Sequence, residues 1–112
     1  MDFMNYIWDT EGTAYVFIKV NDYPDQGVSL DSLKPIVEEI RKASTSMIIT
    51  ADLKDVNILR VDRLLSIAGL IREVLEYTKD DRLLEKIEIK NAGFIFRSIC
   101  RALPIRDLIT FL

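Results

Sequence analysis

The side chains able to do chemistry in this chain are few and mostly acidic. Three pairs of carboxylates stand close in sequence: Glu38 with Glu39, Asp52 with Asp55, and Asp80 with Asp81. Paired acids suit proton transfer or Mg²⁺ binding, because both need hard oxygens held near one another. Glu38 and Glu39 fall in a helical pattern and are expected to face water. Asp80 and Asp81 fall in a loop. Asp52 and Asp55 are better placed, since they follow a strand and the C-terminal ends of parallel strands favour ligands. No further acid stands near them in sequence, so a turn or cap role is the expectation, with a minimal Mg²⁺ enzyme as the sharper alternative.

The chain has no histidine, the residue most used for proton transfer near pH 7 and the commonest zinc ligand. Four glycines spread over 112 residues make no phosphate-cradling loop, and neither the dinucleotide, P-loop nor nucleophile-elbow motif occurs. Cys100 is the only cysteine, which excludes an intrachain disulfide and a cysteine-rich zinc site and agrees with a reducing compartment. Arg97 and Arg101 flank it, but its spacing with Phe96, Ile99 and Leu103 predicts a small core residue. No catalytic residue, metal or cofactor is assigned, and the chain is expected not to be an enzyme.

Charge narrows the partners. The net formal charge is −3, with 9 Lys/Arg against 15 Asp/Glu in residues 1–81 and 6 against 3 in residues 82–112. An acidic total argues against non-specific nucleic-acid binding, and only the basic C-terminal quarter would welcome an anionic partner. The N-terminus MDFMNYIWDTEG lacks the pattern of a signal peptide, and no run of about 18 apolar residues suggests a membrane span. A cytoplasmic location is the expectation. With 49% apolar and 29% charged residues, the chain reads as a single folded domain over residues 1–112.

The elements that must position these groups follow from hydrophobic period. Residues 4–20 read as a hairpin, with Val16, Ile18 and Val20 on one face and Gly12 in the turn. Leu30, Leu33, Ile36, Val37, Ile40 and Ala43 recur at helical steps. Asp31 or Ser32 is expected to cap that helix, with Pro35 in its first turn. Ser46–Leu53 is nearly continuous in apolar residues and predicts a buried central strand. A second helix starts near Asp62, as N-cap or first-turn acid, and carries Leu64, Leu65, Ile67, Ala68, Ile71, Val74 and Leu75. Gly69 interrupts it, which suggests close approach of another backbone. Lys86–Lys90 alternates strictly, as a strand with one wet face does. Phe94–Leu103 predicts a third helix stopped by Pro104, and Ile105–Leu112 either a last strand or a helical turn. The fold class is α/β: a mixed sheet with an N-terminal hairpin and alternating βα units in a layered sandwich.

That order resembles the STAS fold of anti-sigma-factor antagonists and anion-transporter tails. Ile48–Leu59 (IITADLKDVNIL) is similar to the family's buried strand with its Asp-Leu-x-x-Val-x-apolar-apolar exit. Ile87–Arg97 (IEIKNAGFIFR) is similar to the strand-turn-helix of the same family, and more weakly to CRAL-TRIO lipid-binding domains. The resemblance covers residues 14–104 loosely. It implies a regulatory module that docks on proteins through the corner after the buried strand. Where the antagonists carry a phosphorylatable serine, this chain has Arg60-Val61-Asp62-Arg63, so the phosphorylation switch is expected to be missing and Asp62 or Asp55 offers only a fixed charge.

The third helix is short of polar positions, with only Arg97, Ser98 and Arg101 breaking it. One face must pack on the sheet, leaving Phe94 or Ile95 to protrude unless the terminal segment, through Leu108, Ile109 and Phe111, covers them. The expected function is therefore a non-catalytic protein-interaction or regulatory module. Its contact residues would be Asn57 and Arg60 after the buried strand, and Phe94, Ile95, Arg97 and Arg101 on the third helix. The partner would be another protein or a second copy. The alternative is a carrier of a lipid or small apolar ligand, with its cavity under the third helix.

Overall fold

The computed structural model describes residues 1–112. The hairpin forms from β1 (Met4–Trp8) and β2 (Thr13–Lys19), paired antiparallel. Its turn is held by the Asp9 carboxylate, which accepts from the Glu11 N–H (2.9 Å) and the Thr13 N–H (3.0 Å), while Gly12 takes φ 91°. A side chain would strain that conformation. These bonds, led by the one from Thr13, hold the Asp9 carboxyl below its ordinary range despite partial desolvation.

Three parallel crossovers follow: β2 to β3 (Ser46–Asp52) through α1 (Leu30–Ala43), β3 to β4 (Leu84–Lys90) through α2 (Val61–Tyr77), and β4 to β5 (Ile109–Phe111) through α3 (Phe94–Arg101). The strand order is β1-β2-β3-β4-β5, so every crossover steps the same way. Right-handed connections then put all three helices on one face of the sheet. Burial agrees. Val16, Ile18, Ile49, Ala51, Ile87 and Ile89 are buried beneath helix residues such as Val37, Ile40, Ile67, Ile71 and Cys100. The other face carries Tyr15, Phe17, Ile48, Thr50, Lys86 and Glu88 and has no covering layer.

Several expectations are corrected. The first helix is capped by Ser29, whose Oγ accepts from the Ser32 N–H (3.3 Å), rather than by Asp31 or Ser32. Pro35 thus lies in the second turn, on an exposed side of the helix where water can reach the carbonyl its missing N–H leaves free. β3 is central, but it alternates between buried and half-buried residues, because all the helices sit on one side. Glu38 is half-buried: it accepts from the Tyr77 hydroxyl (2.7 Å) and from Arg41 (2.9 Å), and its carboxyl is held low chiefly by the Tyr77 bond. No other part of the chain approaches Gly69, and Leu65 is exposed. α3 ends at Arg101, and the terminal segment is both of the alternatives, a short 3₁₀ turn (Arg106–Leu108) followed by β5.

An apolar cavity of about 40 Å³ lies between the sheet and the α1–α2 pair, lined by residues that include Val16, Ile49, Val37 and Ile71. It is not under α3, and ligand pockets for drug-sized molecules run to several hundred Å³. No helix of the chain is long and apolar enough to cross a membrane.

Candidate docking surface

Two neighbouring loops leave the C-terminal ends of β3 and β4. The first runs from Leu53 through a 3₁₀ turn (Ile58–Arg60) into α2; the second is Asn91–Gly93, leading into α3. They are stitched together. The Leu53 N–H donates to the Lys90 carbonyl (3.0 Å), and the Asn91 side-chain amide donates to Asp52 Oδ1 (2.7 Å), which also accepts from the Lys54 N–H (2.9 Å). Partial desolvation opposes the Asp52 charge. The bonds from Asn91 and Lys54, with the nearby Lys90 and Lys54 charges, outweigh it and hold this carboxyl low. Asp52 is therefore a loop anchor. Asp55 sits exposed at φ 65°, and no group of three or more acid or cysteine side chains is arranged to hold a metal.

Asn57 caps the 3₁₀ turn, its Oδ1 accepting from the Leu59 N–H (2.9 Å). That cap fixes the direction in which Ile58 and Leu59 leave the backbone, and Leu59 stands 83% exposed. On the second loop, Gly93 caps α3 with extended backbone and no side chain, so Phe94 and Ile95 open the helix with nothing in front of them. Phe94 is 82% exposed and Ile95 is 55% exposed. Between the loops lies an open groove lined by buried Leu53 and Phe96 and by exposed Ile58, Phe94 and Ile95. The terminal segment does not cover it. Phe111 is instead held by Arg97 and Arg101, whose guanidinium carbons lie 5.3 and 5.5 Å from its ring centroid. Arg97 also donates to the Ala92 carbonyl (3.0 Å). Neither arginine has a carboxylate within ion-pair distance.

The six sequence-derived contact residues thus part into three groups. Phe94 and Ile95 are on the groove, with Asn57 shaping its first loop. Arg97 and Arg101 tie the terminal strand to α3 while keeping their charge unpaired. Arg60 is engaged within the chain: it bonds Asp25 and, at 3.2 Å, Asp62, while Arg63 reaches the same Asp25 at 3.0 Å. The two arginines clamp loop 21–28 to the start of α2, and the Asp25 carboxyl is held low first by Arg60 and then by Arg63. The buried Tyr23 hydroxyl fixes the same loop, accepting from the Val28 N–H (3.0 Å) and from Ser66 Oγ (3.3 Å). Sequence reasoning did not single out Ile58, which lines the groove, or Leu59, which is exposed next to it in the same turn. Their signal was the apolar pair directly after a capping asparagine. Cys100 is fully buried, and desolvation raises its thiol pKa, the opposite of what a nucleophile needs. The chain has no match among known family models, curated proteins or solved structures.

Proposed function

We propose that the chain is a non-catalytic, STAS-like interaction module that docks a protein partner on the groove between the β3 and β4 exit loops. The supporting observation is the set of exposed apolar side chains, Ile58 and Leu59 in the 3₁₀ turn of the first loop and Phe94 and Ile95 at the start of α3, next to two exit loops that hydrogen bonds hold together. A pre-ordered apolar patch costs little entropy to dock. Lys54 and Asp55 both line the groove and offset one another, and Arg97 and Arg101 lie further along α3 with no carboxylate of their own. The partner is therefore a protein segment that presents an apolar anchor flanked by acidic side chains. The corner lacks a hydroxyl acceptor, since Arg60 and Asp62 occupy it as a mutual ion pair. Docking here is constitutive rather than switched by phosphorylation. The alternative of a lipid carrier draws no support from a cavity of about 40 Å³.

The test is selection of binders from a displayed peptide library, followed by affinity measurement on variants. Enriched peptides should pair Leu, Phe or Trp with Asp or Glu. Phe94→Asp should weaken them by roughly 30-fold, the effect of losing an anchor worth about 2 kcal/mol. Leu65→Asp, on an exposed part of α2 that does not line the groove, should not. Binders indifferent to both Phe94→Asp and Ile95→Asp would remove the proposal.

A further inference from the structure

β1 is an edge strand with none of the usual protection. Edges are normally blunted by lysine, proline, a bulge or brevity. β5, at the opposite edge, is only three residues long. β1 is five residues, Met-Asn-Tyr-Ile-Trp, with no charge, no proline and an unbroken register to β2. Ile7 is 60% and Trp8 44% exposed.

The pairing with β2 fixes which backbone groups face outward. The Lys19 N–H donates to the Phe3 carbonyl (2.7 Å) and the Asp9 N–H to the Thr13 carbonyl (3.0 Å). In an antiparallel ladder bonded and non-bonded pairs alternate, so Phe3, Asn5, Ile7 and Asp9 turn inward to β2. Met4, Tyr6 and Trp8 turn their N–H and carbonyl groups out of the sheet. The Met4 N–H is taken by the Met1 carbonyl (3.3 Å), which leaves the Tyr6 and Trp8 N–H groups and three carbonyls without partners.

We infer that this edge pairs with the β1 edge of a second copy, antiparallel about a twofold axis at Tyr6, joining the two sheets. In that register Tyr6 faces Tyr6, Met4 faces Trp8 and Asn5 faces Ile7, each pair uncharged. The outward Trp8 N–H meets the free Met4 carbonyl, and the two Tyr6 residues exchange bonds. The flanking acids do not meet: Asp2 falls opposite Thr10, and Asp9 opposite Phe3. Tyr6 and Trp8 are already stacked on the helix side of the sheet, centroids 5.9 Å apart at 25°. The axis sets Tyr6 against its own copy and each Trp8 against the other copy's Met4, so the cross-strand aromatic contact that stabilises antiparallel pairs falls on Tyr6 at the axis. An extended segment of another protein would satisfy the same backbone groups but draws nothing from this self-complementarity. The surface lies at the sheet edge, away from the β3–β4 groove.

Sedimentation equilibrium across the micromolar range should give a mass of about twice the 12.9 kDa chain for the wild type. Tyr6→Lys and Tyr6→Asp, each checked for an intact fold by circular dichroism, should each sediment as monomers, since like charges then face one another on the axis. Mixed in equal amounts they should dimerise again. Hydrogen exchange on the unmutated chain is a second readout. The Tyr6 and Trp8 amides should be protected at high concentration and lose protection on dilution. A wild-type monomer, a dimer that survives both single variants, fast exchange at both amides at every concentration, or failure of the mixed variants to recombine would overturn the inference.

Discussion

Replacing Gly69 by alanine should stabilise the protein. Gly69 sits in the middle of α2, exposed, and no atom of any other segment lies within 4 Å of where its Cβ would stand. Its φ is not in the left-handed region, so alanine meets neither a clash nor backbone strain. What remains is helix propensity, which favours alanine over glycine by about 0.8–1.0 kcal/mol in a helix interior. For a chain of 112 residues the unfolding entropy is roughly 0.24 kcal/mol/K, so the melting temperature should rise by about 4 °C. Urea unfolding should show the same gain as a higher midpoint at unchanged slope. Gly12→Ala is the control. There φ is 91° and a Cβ would lie 3.3 Å from the Thr45 hydroxyl, so a loss of about 1–2 kcal/mol is expected. A drop in stability for Gly69→Ala would refute the reasoning, because it would mean that something packs on that face of α2.

Two further expectations separate the inner and outer halves of the structure. Phe94→Asp should leave stability within about 0.5 kcal/mol of wild type, whereas Phe96→Ala, two residues on and buried, should cost about 3–5 kcal/mol by denaturant unfolding. Acid should destabilise the chain. Asp9, Asp25, Glu38, Asp52 and Asp62 are all held below their ordinary pKa by partners that exist only in the fold. Each contributes stability that is fully present above its unfolded pKa and lost as pH falls through the folded one. Stability should be flat between about pH 7 and 5 and decline below about pH 4. High salt should shrink the decline, because most of these groups are exposed. A loss that begins above pH 5 would contradict the assignment.

The elements were legible because their apolar residues recur at steps of two or of three and four, and both periods survive in the burial of β3 and α1. The start of α1 was not, because Ser29, Asp31 and Ser32 all make good caps and only the backbone decides among them. Placing the cap at Asp31 or Ser32, two or three residues late, also put Pro35 in the first turn when it lies in the second. Arg60 shows a different limit. Its partner Asp25 is 35 residues away, and no local pattern reveals that a loop folds back to occupy the guanidinium. For α3 the sequence left open whether Phe94 and Ile95 were covered. The answer depended on Phe111, which lies against the arginines of α3 instead. The hairpin was plain from residues 4–20, but which of its strands would lie outermost depended on where β3 paired.

The strand order has a consequence for synthesis. Each new strand joins the outer margin left by the one before it, and no later strand has to be threaded between two that are already paired. A chain emerging from the ribosome can therefore assemble from its amino terminus onward, one βα unit at a time, without undoing earlier pairings. Until the next unit arrives, the newest strand is the growing margin. β3, then β4, would each be briefly open to a chaperone or to a neighbouring nascent chain before the following segment closes over it.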